Sequence, residues 1–168
     1  SSKAMKIPFR TGFGYDVHRL EPGYDLWLGG IKIPHELGLE GHSDADVLLH
    51  AVCDALLGAA ALGDIGVHFP PSDMQYKGID SKILLQRVCQ LVREAGYELG
   101  NIDATIAAEA PKINPHIPQM RQVMADIMDL EVGAISLKAT TSERMGFVGR
   151  SEGMAAYATA LIALREAL

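Results

Sequence analysis

Asp16 and His18 stand two residues apart in Gly14-Tyr15-Asp16-Val17-His18. On a strand, side chains at i and i+2 point to the same face, so a carboxylate and an imidazole can converge on one point. One further imidazole would make a three-ligand Asp/His/His set. Such a set leaves the fourth tetrahedral position of a zinc ion open for substrate. His50 is the expected third ligand, in His42-Ser43-Asp44-Ala45-Asp46-Val47-Leu48-Leu49-His50. His42 sits just before an expected helix start and is better placed to meet an anion there. Cys53, one helical turn past His50, is a rival ligand. Taken singly, each signal is weak. An Asp-x-His pair is common, and a lone histidine on an apolar helix usually belongs to the core or the surface. The conjunction, each residue in an element of readable type, makes the metal reading worth following.

Three loops hold further polar groups. Gly63-Asp64-Ile65-Gly66 follows the expected metal-bearing helix. Asp64 is either a turn residue or a carboxylate aimed at substrate hydroxyls. Residues 110–118, Ala-Pro-Lys-Ile-Asn-Pro-His-Ile-Pro, hold three prolines. A loop that stiff could present backbone amides and carbonyls to a planar base, with Lys112 adding a cation. Lys138-Ala139-Thr140-Thr141-Ser142-Glu143 puts hydroxyls and a carboxylate at a strand end. Hydroxyls and amides suit phosphate oxygens, and a nearby Glu suits Mg²⁺, which prefers one or two carboxylates plus phosphate. Plain turn chemistry would account for any one of these loops alone.

The elements that must position these groups read as one continuous α/β pattern with no repeats and no linker. Residues 8–18 read as a strand. Leu26–Leu28 and Ile31–Ile33 read as a tight hairpin, because Gly29-Gly30 supplies positive φ. Ser43 followed by Asp46 resembles a capping box opening a helix to about Leu62. Asp80-Ser81 opens a second helix that Gly96 ends. Ile102 to Ala108 reads as a strand, Pro118 to about Met128 as a helix, and Ile135 to Thr140 as a strand. Met154 to Leu164 is ambiguous: its alanines favour helix, but a short apolar run can be a buried strand.

Composition bounds the class. A chain of 168 residues is expected to form a single domain, burying about 70% of its unfolded surface. A net charge of −6 argues against a nucleic-acid surface, which needs a basic stripe. An acidic protein that binds polyanions needs local positive charge, which metal ions and helix N-termini can supply. No apolar run approaches the roughly 20 residues of a membrane span. No long apolar stretch follows Lys3 and Lys6, so no secretory signal is expected. Ser1 to Ala4 reads as a remnant ahead of a native start at Met5. Cys53 and Cys89 read as small buried hydrophobes.

Four segments together resemble the 2-C-methyl-D-erythritol 2,4-cyclodiphosphate synthases of the non-mevalonate isoprenoid pathway. They are GYDVHRL at 14–20, GHSDADVLLHAVCDALLGAAALGDIGVHFP at 41–70, APKINPHIPQMR at 110–121 and KATTSERMGFVGRSEG at 138–153. The resemblance covers nearly the whole chain, from Gly12 to Leu164. Departures are small: Ala45 where Gly is expected, Ser142 where Thr is usual, and Pro71 after Phe69-Pro70.

The resemblance implies an α+β fold, with a mixed β-sheet and helices packed on one face, assembled as a homotrimer with active sites between subunits. It makes the ambiguous C-terminal segment a strand. It implies that 4-diphosphocytidyl-2-C-methyl-D-erythritol 2-phosphate is converted to the 2,4-cyclodiphosphate and CMP. Asp16, His18 and His50 would hold Zn²⁺, and Glu143 would hold Mg²⁺ or Mn²⁺. His42 and Thr141 would stabilise the transition state, with Ser43 near the 2-phosphate. Asp64, Ile65 and Gly66 would meet the erythritol moiety, with Phe69, Pro70, Pro71, Ser72 and Asp73 also binding substrate. Ala108, Glu109, Ala110, Pro111, Lys112, Ile113 and Asn114 would hold cytidine, and Thr140, Thr141 and Ser142 the diphosphate. Phe147 and Arg150 would lie near the trimer axis, where an apolar cavity can accept isoprenoid diphosphates. Asp46 or Asp54, one turn either side of His50, could accept its free ring N–H. The implied compartment is the bacterial cytoplasm. Two rival readings are a zinc hydrolase of nucleotide diphosphates and a non-catalytic trimeric binder of isoprenoid diphosphates.

Overall fold

The computed structural model describes residues 7–168; Ser1 to Ala4 lie outside the described residues. The elements in chain order are β1 (Phe9–Pro22), β2 (Leu26–Leu28), β3 (Ile31–Ile33), β4 (Leu37–Leu39), α1 (Val47–Ala59), α2 (Ile65–His68), α3 (Ser81–Glu94), β5 (Tyr97–Ala107), α4 (Ile117–Met128), β6 (Ile135–Thr140), α5 (Gly146–Gly149) and β7 (Gly153–Leu164). Five strands form a mixed sheet in the order β4-β1-β7-β5-β6, and β2-β3 form a separate hairpin. β5 and β6 run parallel, joined by α4, while the other pairs are antiparallel.

The C-terminal segment is the central strand, β7, pairing with β1 from Arg19↔Gly153 to Phe9↔Ala163. Its alanines outweigh their helix propensity for a packing reason. Ala156, Ala158 and Ala160 are buried and face the same way as Asp16, Gly14 and Gly12, their register partners. Small side chains there let α1 lie directly on the sheet. A methyl added at Gly14 would come within 1.9 Å of the Ala51 carbonyl oxygen, and one at Gly12 within 1.9 Å of that of Ala55. Ile102, Ala104, Ile106, Ile135 and Leu137 join the same core, with the apolar faces of α3 and α4.

The three long helices therefore share one face of the sheet. The other face is not bare throughout. At one end α5 packs Val148 and Phe147 on Ala107 and Ala155. Elsewhere it exposes Phe9, Phe13, Tyr15, Val17 and Tyr157. None of the helices is long and apolar enough to cross a membrane among the described residues.

The expected start of α1 needs correction. The N-cap is Asp46, whose side chain accepts from Leu49 N. Ser43 instead accepts from Ala45 N within the preceding loop. The helix also ends at Ala59, short of Leu62, and Ala61 turns the chain away at φ 56°. Asp46 also accepts from Gly29 N and Gly30 N, at 3.0 and 2.8 Å. That buried carboxylate ties the β2–β3 turn to the helix carrying His50. Asp54 accepts from Ile65 N at 2.9 Å and so anchors α2.

Candidate active site

β1 alternates its side chains across the sheet, which sends Asp16 and His18 to the α1 side. α1 crosses that face at Gly14 and brings His50 down onto them. Asp16 Oδ2 lies 2.9 Å from His18 Nε2 and 3.1 Å from His50 Nδ1. One ligand atom from each of the three residues lies within 4.8 Å of the others. Tetrahedral zinc with bonds of about 2.0–2.2 Å spaces its ligands about 3.3–3.6 Å apart, a small adjustment from this arrangement. Cys53 is not part of the cluster; it is buried in the core.

The donor set fits a divalent metal on a second ground. His18 Nε2 is buried without a hydrogen-bond partner. Its contact with Asp16 is close but not aligned as a hydrogen bond. On the far side of the ring, His18 Nδ1 lies 2.9 Å from the Glu40 carbonyl. A carbonyl only accepts, so Nδ1 carries a proton, and in the neutral ring Nε2 is the nitrogen that offers a lone pair toward Asp16 and His50.

Charges follow from this packing. Burial pushes the Asp16 carboxyl up, but close contact with His18 and His50 and their charge outweigh it and hold it below the usual carboxylate range. Burial pushes the His18 imidazole down. Contact with Asp16, its charge, the Glu40 carbonyl and Asp44 outweigh that and hold it above its ordinary value. Cys53 and Cys89 are held up by burial, Cys89 to about 12, so both stay thiols.

The triad opens on a cavity of about 240 Å³. His42 and Ser43 form one wall, and Ile65, Gly66, Phe69 and Pro71 another. Tyr76, Ile79 and Leu84 complete it, and sequence reasoning did not single them out. Asp64 is the N-cap of α2, accepting from Val67 N at 3.0 Å. Asp73 caps the short turn Met74–Tyr76 and accepts from Gln75. Its N–H bonds the Pro70 carbonyl, and Pro70, Ser72 and Asp73 stand outside the cavity lining.

Residues 139–141 and all of 108–114 except Ala110 line a different cavity. Ala108, Glu109, Pro111, Lys112, Ile113 and Asn114 line it with Ala139, Thr140 and Thr141. The Ala110-Pro111 peptide is cis. Glu109 accepts from Ser142 N and Arg144 N, both at 3.2 Å, and so shapes the 140–145 turn. Glu143 is exposed, with φ 52°, and its N–H bonds Thr141 Oγ1. Ser142 and Glu143 line neither of these cavities. Phe147 lines a third, with Tyr15, Val17 and Arg19, while Arg150 pairs with Glu152 at 3.3 Å. One chain thus brings the three expected zinc ligands together on one cavity and most of the expected cytidine and diphosphate residues on another, and Glu143 is not part of the three-residue cluster.

Neither carboxylate expected behind His50 is there, because Asp46 and Asp54 are committed to backbone amides. Instead His50 Nε2 lies 2.9 Å from Ser81 Oγ and 3.2 Å from Ser43 Oγ. Ser81 reads in the sequence only as the start of a helix, so no local signal marks it.

The model of the YgbB family matches residues 9–163. A 2-C-methyl-D-erythritol 2,4-cyclodiphosphate synthase of Porphyromonas gingivalis is 72% identical over 158 residues, covering 94% of this chain and 98% of that protein. One from Bacteroides fragilis is 60% identical over the same shares of both chains. Among solved structures, the bifunctional IspDF from Campylobacter jejuni superposes with a TM-score of 0.91 at 42% identity. It covers 95% of this chain, which spans only 43% of that longer one. IspF of Plasmodium falciparum, in complex with CDP, gives 0.84 at 29% identity over 96% of this chain and 99% of that one.

Proposed function

The chain belongs to the YgbB family, as a relative of the 2-C-methyl-D-erythritol 2,4-cyclodiphosphate synthases, and from that premise we propose how its residues divide the work of that reaction. The enzyme converts 4-diphosphocytidyl-2-C-methyl-D-erythritol 2-phosphate to 2-C-methyl-D-erythritol 2,4-cyclodiphosphate and CMP. An oxygen of the 2-phosphate bonds to the β-phosphorus. The bond from that phosphorus to the bridging oxygen breaks, and CMP leaves with the electron pair. The nucleophile is already an anion, so no activated serine, cysteine or general base is required. Positioning and charge neutralisation carry the rate.

The observation that carries this reading is the convergence of Asp16, His18 and His50 at the mouth of a cavity. These three would hold Zn²⁺, and Glu143 a Mg²⁺ or Mn²⁺. Bound there, such ions supply Lewis-acid neutralisation of the diphosphate. His42 and Ser43, on the cavity wall beside the triad, would meet the 2-phosphate, His42 stabilising charge as the new bond forms. Asp64, Ile65 and Gly66, with Phe69 to Asp73, would shape the erythritol end. The stiff loop at 108–114 would hold cytidine, and Thr140, Thr141 and Ser142 the diphosphate, with Thr141 stabilising the transition state.

Because one chain separates these two sets, we assign the complete site to the boundary between subunits of a homotrimer. The exposed apolar face carrying Phe13, Tyr15, Val17 and Tyr157 suits such an interface. Phe147 and Arg150 would then approach the trimer axis, at a cavity fit for an isoprenoid diphosphate. The compartment that goes with this reading is the bacterial cytoplasm.

Reaction in ¹⁸O-water tests the chemistry. An internal nucleophile predicts CMP and a cyclic product, neither carrying solvent oxygen. A linear product labelled with ¹⁸O would mean that water attacks instead and that the protein is a hydrolase.

A further inference from the structure

Behind His50 lies a chain of hydrogen bonds that has a fixed direction. Ser81, the first residue of α3, is fully buried. Its hydroxyl bonds Asp44 Oδ1, and its backbone N–H donates to Asp44 Oδ2 at 2.9 Å. Asp44 also accepts from Asp46 N at 3.1 Å. A carboxylate accepts and does not donate, so the single hydroxyl proton of Ser81 points at Asp44. Toward His50 Nε2, at 2.9 Å, the Ser81 oxygen offers only lone pairs. Nε2 therefore donates to Ser81, and in the neutral ring that a metal binds the nitrogen left with its lone pair is Nδ1, which faces Asp16 at 3.1 Å. Ser43 Oγ also stands 3.2 Å from Nε2 and accepts from Ala45 N, so it can serve as a second acceptor.

We propose that Asp44 and Ser81 form a positioning relay that fixes the tautomer and ring orientation of His50, so that Nδ1 is presented as a metal ligand. Resting on the reading of Asp16, His18 and His50 as a metal site, the relay adds two residues outside the ligand set. It also couples the start of α3 to the metal-bearing helix. Its logic matches that at His18, where the Glu40 carbonyl occupies Nδ1 and leaves Nε2 free. The two imidazoles are thereby presented through different ring nitrogens, Nε2 of His18 and Nδ1 of His50. Neither Ser81 nor Asp44 touches the reacting atoms in this scheme. Their loss should therefore act through metal retention.

The test combines zinc affinity with ring-nitrogen NMR on the zinc-loaded trimer or whatever assembly the full chain forms. Zinc dissociation constants are measured by chelator competition for the parent, Ser81→Ala, Asp44→Asn and the double variant. Removing a partner of this kind weakens metal binding about 10- to 100-fold. Each single variant should lose about that much, and the double variant little more than the weaker single, because both cut one relay. Zinc affinity within about threefold of the parent in both single variants, or losses that multiply in the double variant, would overturn the proposal. His50→Ala serves as a control: if it binds zinc as the parent does, the metal reading itself has failed, independently of the relay. Should Ser81→Ala fail to fold, ¹⁵N spectra of the parent decide. Metal ligation through His50 Nδ1, with a slowly exchanging Nε2 proton that becomes fast-exchanging in Asp44→Asn, supports the relay. Ligation through Nε2 removes it.

Discussion

The protonation of His18 sets the pH dependence of the site. Zinc takes a neutral imidazole, so protons compete with it. Contact with Asp16 and the Glu40 carbonyl holds His18 above the ordinary 6.5, while Asp16 is held below 3.8. Zinc affinity should therefore begin to fall as pH drops through a value above 6.5, with Asp16 remaining ionised throughout. The zinc-free fold should respond in the opposite sense. A histidine whose folded value is raised stabilises fully below its unfolded value and loses that contribution as pH rises through the folded one. Chelator competition and urea unfolding of zinc-free protein between about pH 5 and 8 check both trends; a zinc affinity flat across that range would rule out histidine ligation. Glu143 yields a separate expectation. Glu143→Gln should raise the Mg²⁺ concentration for half-maximal rate while leaving zinc content unchanged, and an unaltered Mg²⁺ titration would remove Glu143 as a ligand. The convergence of Asp16, His18 and His50 was legible because strand spacing and a helical histidine are local signals. Glu40, Asp44 and Ser81 were not, because their roles arise from contacts 22, 37 and 31 residues apart in sequence.

At the scale of elements, the site depends on how closely α1 can approach β1 and β7. Gly14 is the tightest constraint near the triad, since an added methyl would strike the Ala51 carbonyl next to His50. Gly14→Ala should cost about 3 kcal/mol of stability by overpacking, measured by urea unfolding, and should weaken zinc binding by displacing α1. Stability within about 0.5 kcal/mol of the parent, the range of an ordinary surface change, would show that the helix shifts without cost. Most elements were readable from periodicity, caps and Gly-Gly. β7 was not, because alanine-rich propensity points to helix and only the packing of Ala156, Ala158 and Ala160 beneath α1 decides otherwise. The cap of α1 was misread because Ser43 and Asp46 both suit the role, and the competing demand of Gly29 and Gly30 for Asp46 is tertiary. Ala45 shows the same limit. Its φ of 58° explains why glycine is expected there, yet its methyl is fully buried.

At the scale of the whole molecule, the separation of the two cavities is the fact to be explained. The triad and His42 lie on one, and Lys112, Asn114 and Thr141 on the other. In the proposed homotrimer they meet across subunits, through the sheet face bearing Phe13, Tyr15, Val17 and Tyr157. The pairing of two inactive variants tests that claim most directly. His18→Ala disables the metal half of the site, and Lys112→Glu the cytidine half. Each is checked first for its fold, and each should be inactive alone. Co-refolded together, they should form mixed trimers, detected by native mass spectrometry, in which some interfaces pair an intact triad with an intact loop. Such mixtures should recover part of the parent's CMP release. Mixed trimers that form and remain inactive would contradict the shared site and require each subunit to complete its own.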